Sequence, residues 1–251
     1  MVKNVLITGA SSGIGRATTE LLASKGYNIF AIARNEKRLD EISGANINTL
    51  SADIATEDGR QAIKEFVGST HLDLLINNAG LMAPSGNLSN VDLARWRYQI
   101  GVNVEAPLFL TQNLLENLSG GRVLNITIYS SFHVRPGLAA YGTSKAALNM
   151  LTEYMRHDFS KFQIAVGLVL PGIVDTAIQS QLPKDDGLMG AGGTDSTKEG
   201  KLLSPQLAAE FLAWVCLETS VEQFNSGIFD IYDKKLQASW NLNNILITRP
   251  M

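Results

Sequence analysis

Cysteine is almost absent from this chain of 251 residues: Cys216 stands alone, which excludes an internal disulfide framework. Set between Val215 and Leu217 in a segment of helical period, it reads as a small core hydrophobe rather than a reactive thiol. Histidine is also sparse, with three residues. His71, His133 and His157 are scattered without ligand spacing, so no metal site is expected. No stretch approaches the ~18 uninterrupted apolar residues of a membrane span. The opening run Val5, Leu6 and Ile7 reaches Gly9 too soon for a signal-peptide core, so the expectation is a cytoplasmic chain without membrane contact. Basic clusters are missing too. A net charge of -3 without such a cluster gives no reason to expect nucleic acid as a partner.

What is present is a well-buried composition, 45% apolar and 18% charged, which argues against disorder. The length lies near the upper limit of what one hydrophobic core serves, and no linker interrupts it, so residues 1–251 read as a single domain. Short β-rich apolar runs alternate with segments of helical period, the α/β pattern of a parallel sheet with helices on both faces. The runs are Val5 to Thr8, Asn28 to Ala33, Ile47 to Ser51, Leu72 to Asn77, Arg122 to Ile128, Ile164 to Leu170 and Gly227 to Ile231. Seven strands are enough for a doubly wound sheet. Helical spacing appears over Gly13 to Ser24, Val91 to Leu118, Ala139 to Phe159 and Pro205 to Leu217, with no internal repeat. Ligands of such sheets lie beyond the carboxyl ends of the strands, so the residues after each run are the candidates.

After the first run comes Thr8-Gly9-Ala10-Ser11-Ser12-Gly13-Ile14-Gly15, at the start of a helical pattern. Glycines let such a turn adopt positive φ and let backbone approach a pyrophosphate, whose charge the helix N-terminus stabilises. The end of the second run decides between dinucleotides, because an acidic residue there binds ribose hydroxyls and an arginine accommodates a 2′-phosphate. Here the run ends Ala33-Arg34-Asn35 with no carboxylate at its tip, and Arg34 offers a planar, permanently charged fork. The expected cofactor is NADP(H), with Ser11 or Ser12 as a further hydroxyl donor. Tyr141 and Lys145, four apart on a predicted helix, share one face; a nearby ammonium favours the ionised phenol, fitting Tyr141 for proton transfer.

The glycine spacing resembles that of the short-chain dehydrogenase/reductase family, and the likeness runs through almost the whole chain. Asp53-Ile54 looks like the family's adenine contact, and Asn77-Asn78-Ala79-Gly80 like its Asn-Asn-Ala-Gly motif. Asn103, the Tyr141-x-x-x-Lys145 pair and Pro171-Gly172-Ile173-Val174-Asp175-Thr176 complete the set. The resemblance implies a Rossmann domain, with cofactor contacts at Gly9, Ser11, Ser12, Gly13, Ile14, Gly15, Arg34, Asp53, Ile54, Asn78, Ala79, Gly80, Tyr141, Lys145, Pro171, Gly172, Val174 and Thr176. It further implies that Tyr141 is the general acid and base, that Lys145 binds the nicotinamide ribose, and that Asn103 orders a water in a proton relay. A homodimer or homotetramer follows from the same resemblance, through the helices carrying Asn103 and Tyr141.

One position departs. The family usually places a serine thirteen residues before the tyrosine, and here that position is Ile128, which has no donor. Thr127 points to the opposite face of a regular strand, while Ser130, two residues on, returns to the same face and is the candidate replacement in the catalytic set. The leading expectation is an NADPH-dependent oxidoreductase of a small, mostly apolar carbonyl or alcohol, in a pocket formed by Leu81, Met82, residues near Phe132 and the segment after Thr176. The alternative is an NADP-binding regulator or scaffold whose catalysis Ile128 impairs. Residues 177–203, rich in glycine, read as a substrate lid or as a disordered loop. The tail 237–251 either packs on a neighbouring subunit or hangs free.

Overall fold

The computed structural model of the chain describes residues 3–177, 202–240 and 247–249. Seven strands form one sheet: β1 (Asn4–Thr8), β2 (Asn28–Ala33), β3 (Ile47–Ser51), β4 (Leu74–Asn77), β5 (Arg122–Ile126), β6 (Ala165–Leu170) and β7 (Ile228–Asp230). All pairs are parallel, in the order β3-β2-β1-β4-β5-β6-β7. The order reverses beside β1, where Val5 pairs with Ile29 on one side and Leu74 on the other. That reversal opens a crevice at the carboxyl ends, the expected place for a ligand.

β4 and β6 are buried at every residue, because helices cover both faces of the sheet and leave no face for polar alternation. On one face, α1 (Gly13–Ser24) and α7 (Pro205–Leu217) pack Leu22, Phe211 and Val215 against β1 and β2. On the other, Ile63 of α3 (Glu57–Val67), Leu110 of α5 (Ala106–Asn113) and Met155 of α6 (Ala139–Asp158) close over Leu6, Leu75 and Val123. Among the described residues α2 (Glu36–Asp40), α8 (Val221–Phe224) and α9 (Lys234–Trp240) are short.

The single helix expected over residues 91–118 is instead α4 (Leu93–Ile100), a π turn over Gly101–Glu105, and α5, which stops at Asn113. Pro107 has no N–H for the carbonyl of Asn103, and the ladder widens there into the π pattern. The strand expected over 122–128 ends at Ile126, so Ile128 lies just beyond it in extended backbone. Of the tail, the described residues fold onto this chain. Gln237 Nε2 donates to the carbonyls of Ile231 (2.9 Å) and Ile247 (2.8 Å), and Trp240 lies against Phe211 with ring centroids 4.9 Å apart. Most of the expected lid, residues 178–201, lies outside the described residues.

Candidate active site

β1 ends at Thr8, and the chain turns through Gly9 (φ +68°) and Gly13 (φ +52°) into α1. A Cβ on Gly9 would lie 2.8 Å from Asn78 Nδ2, and one on Gly15 only 2.2 Å from the Gly9 carbonyl oxygen. Glycine at both positions therefore lets loop, helix and the end of β4 close on one another. Asn78 locks the closure by donating Nδ2–H to the carbonyls of Thr8 (2.8 Å) and Gly9 (3.3 Å). In return Thr8 Oγ1 accepts from the backbone N–H of Asn78 and of Ala79, each at 3.1 Å.

Beyond these strand ends runs a cleft of about 480 Å³. Its wall carries Gly9 and Ser11 to Ile14 from the loop, Arg34, Asn35 and Arg38 beyond β2, and Ala52 to Ile54 beyond β3. It continues through Asn78 to Met82 beyond β4, Ile126 to Ile128 beyond β5, Tyr141 and Lys145 of α6, and Pro171, Gly172, Val174, Thr176 and Ala177 beyond β6. Of the residues expected to contact a cofactor, Gly15 alone is off the wall, packed beneath the loop.

At one end Arg34 and Arg38 are exposed, and Asn35 caps the turn between them by accepting from the Arg38 N–H at 3.1 Å. Arg34 Nη1 donates to Tyr98 Oη (2.5 Å), and Tyr98 Oη donates to Asp53 Oδ2 (2.7 Å). The other carboxylate oxygen of Asp53 accepts from the Ala55 N–H at 3.0 Å.

At the other end Tyr141 and Lys145 are both buried, one helical turn apart. Lys145 Nζ donates to the Ile126 carbonyl at 2.8 Å. Asn103, in the π turn, accepts from the Leu81 N–H (2.8 Å) and donates to the Leu81 carbonyl and to Ser144 Oγ, each at 2.9 Å. Its side chain thus sets the position of Leu81 and of α6, and it is not on the cleft wall. Gln99, one turn earlier, donates to the carbonyls of Leu81 (3.1 Å) and Met82 (2.7 Å).

Ile128 and Thr127 both stand on the wall, and the Thr127 hydroxyl is engaged, donating to Asn149 Oδ1 at 2.5 Å. Ser130 sits in the short 3₁₀ turn Tyr129–Ser131, half-buried and off the wall. Ser131 anchors that turn instead, donating to the Ile128 carbonyl at 2.5 Å and accepting from Asn149 Nδ2 at 2.9 Å. Phe132, 47% exposed, does not line the cleft.

The family model described as short chain dehydrogenase matches residues 3–187, which span the glycine loop, the Tyr141 and Lys145 pair and the segment beyond β6. The chain belongs to the short chain dehydrogenase family. It is an oxidoreductase of that family, and an uncharacterized oxidoreductase of Staphylococcus epidermidis is 32% identical over 185 residues, 69% of this chain and 79% of the relative. Among solved structures, L-sorbose reductase of Gluconobacter frateurii, complexed with NADPH and L-sorbose, superposes with a TM-score of 0.80 at 26% identity, covering 92% of this chain and 95% of its own. The 3-ketoacyl-(acyl-carrier-protein) reductase of Brucella melitensis, complexed with NADH, gives 0.79 at 25% identity over 91% and 96%.

In this short chain dehydrogenase the electrostatics of the pair differ from the sequence expectation. Burial pushes the Tyr141 phenol well above its usual value and pushes the Lys145 ammonium down to about 8. Desolvation governs both groups, so each is drawn towards its neutral form. The structure also brings to the cleft, or against its wall residues, side chains that the sequence reading passed over. Arg38 repeats Arg34 at a spacing of four, a signal visible in the sequence; Tyr98 and Gln99 carry no such signal, because their partners, Asp53 and the Leu81 and Met82 carbonyls, lie far from them in sequence. Among the described residues no group of three or more His, Cys, Asp or Glu could hold a metal, and no helix is long and apolar enough to cross a membrane.

Proposed function

We propose that the chain is an NADPH-dependent reductase of small, mostly apolar carbonyl compounds, acting in reverse on the corresponding alcohols. The observation that carries this reading is the shared wall: the glycine loop, Arg34 and the Tyr141 and Lys145 pair face one cleft. The residues fit a dinucleotide. Gly9 and Gly15 leave no room for a Cβ, so backbone forms the floor where a pyrophosphate is held, as glycine loops at helix N-termini do. Arg34 and Arg38 suit a 2′-phosphate, and Asp53 and Ile54 suit adenine.

A bound nicotinamide supplies the hydride. Tyr141 delivers the proton to the carbonyl oxygen, and its raised affinity for that proton keeps it loaded at neutral pH. Lys145, when charged, stabilises the phenolate that forms as the proton leaves, and the Ile126 carbonyl holds it in place. Asn103 and Gln99 fix Leu81 and Met82 as the apolar wall beside the substrate. The same reading takes residues 177–203 as a lid, the protein as cytoplasmic, and the working form as a homo-oligomer.

One observation favours a second reading. Ile128 lines the cleft without a donor, the hydroxyl of its neighbour Thr127 is engaged by Asn149 and Ser130 is off the wall, as in an NADP-binding regulator that has lost efficient catalysis. Cofactor titration followed by a panel of ketones and aldehydes tests both readings. The reductase binds NADPH more tightly than NADH and consumes it with some panel member, and Arg34→Ala narrows the affinity gap by about 1.5–3 kcal/mol. NADPH binding without turnover on any member favours the regulator, and equal affinity for the two cofactors overturns the NADPH assignment.

A further inference from the structure

We infer that Tyr98 is a positioning residue for cofactor selection, a phenol spacer that keeps Arg34 available to a 2′-phosphate; this rests on the NADPH reading above. Arg34 and Asp53 stand at the same end of the cleft with opposite charges. Such a pair collapses readily into a direct, bidentate ion pair, which would occupy the guanidinium fork and neutralise it. Tyr98 Oη occupies the place between them, accepting from Arg34 Nη1 at 2.5 Å and donating to Asp53 Oδ2 at 2.7 Å. One guanidinium nitrogen is thereby tethered. The Arg34 guanidinium carbon also lies 5.8 Å from the centre of the Tyr98 ring, a second restraint on the same fork.

The arrangement needs a neutral phenol, since only the protonated oxygen donates to Asp53. Burial and the Asp53 hydrogen bond raise the proton affinity of Tyr98 above the usual phenol value, so it stays protonated throughout the physiological range. Asp53 does not depend on Tyr98 alone. Its second oxygen accepts from the Ala55 N–H at 3.0 Å, so the carboxylate keeps its orientation if the phenol oxygen is removed. Loss of that oxygen therefore falls on the part of the nucleotide that only NADPH carries.

The test compares Tyr98→Phe with the unaltered chain in titrations with NADPH, NADH, 2′,5′-ADP and 5′-AMP. The expected result is about tenfold weaker binding of NADPH and 2′,5′-ADP, the scale of one charge-assisted hydrogen bond, with NADH and 5′-AMP within about twofold. In an Arg34→Ala background Tyr98→Phe should change the NADPH to NADH ratio no further, because the spacer has nothing left to position. Equal weakening of all four ligands, or an additive loss in the double variant, overturns the inference while leaving the NADPH reading intact. Equal binding of NADPH and NADH by the unaltered chain overturns both. If Tyr98→Phe proves too unstable to titrate, Tyr98→Leu takes its place and must show the same selective loss of NADPH and 2′,5′-ADP; equal weakening of all four ligands by it also overturns the inference.

Discussion

Burial of Tyr141 and Lys145 costs each its charged form, and the two costs have different consequences for catalysis. A phenol that burial keeps protonated is loaded as the acid but gives the proton up less readily, so proton transfer leans on a cation that stabilises the phenolate. The lysine is charged below about pH 8 and neutral above it. Reduction of a ketone should therefore show kcat/KM level below that value and falling as pH rises through it, since the phenolate then forms without its cation. A profile level to pH 10 would remove Lys145 from the chemistry. Ile128 offers a sharper contrast. Its side chain meets the cleft where the family usually has a serine, so Ile128→Ser should raise turnover on a reducible carbonyl, approaching the ~10²-fold scale of one polarising donor. Ser130→Ala should change turnover less than about twofold, because Ser130 is off the wall. A large loss in Ser130→Ala with no gain in Ile128→Ser would place Ser130 in the donor role after all. The departure at Ile128 was visible by counting back from Tyr141. Which hydroxyl could replace the serine was not, because that depends on β5 stopping at Ile126 and on the turn Ser131 anchors.

At the scale of elements, the glycine turn between β1 and α1 is a tightly specified part of the site. A methyl at Gly15 would meet the Gly9 backbone at 2.2 Å, and backbone cannot swing aside as a side chain can. Gly15→Ala should lower stability by more than about 3 kcal/mol and abolish tight NADPH binding. Gly26 has positive φ (+84°) but open space around it, so Gly26→Ala should cost only the ~1–2 kcal/mol of backbone strain and leave NADPH binding unchanged. Thermal melts and titrations of the two variants separate crowding from strain; equal losses in both would contradict this view of the turn. Strand positions were legible because buried parallel strands are written as continuous apolar runs, and only their ends shifted by a residue or two. The helix over α3 was missed. Its buried stripe is just Ile63 and Val67, with Thr56 capping the first turn by accepting from Gly59 N–H at 3.0 Å, too little apolar period to stand out. The break at the π turn had its warning in Pro107, which a periodic reading of the apolar residues passes over.

For the whole molecule, seven parallel strands reversing their order beside β1 bring residues far apart in sequence to one cleft, and that convergence makes the order of motifs informative. Residues at strand ends, such as Asn78 and Pro171, were legible because the fold class alone says where they lie. Tyr98 was not, since it reaches the cleft from α4 through a contact with Asp53 across 45 positions. The tail was undecidable from sequence for a related reason. Trp240 against Phe211, and Arg249 paired with Asp230 with its guanidinium carbon 3.9 Å from the Tyr129 ring centre, are contacts that exist only once the sheet is built. The central proposal is that this cleft passes hydride to a carbonyl carbon while Tyr141 supplies the proton. Mass spectrometry of the alcohol formed from an apolar ketone with NADPH deuterated at the transferring C4 position tests it directly. The expected result is one deuterium on the carbinol carbon with the unaltered chain, and a rate at least ~10²-fold lower with Tyr141→Phe although NADPH still binds. NADPH binding without deuterium in any product, or equal label and rate from Tyr141→Phe, would contradict it.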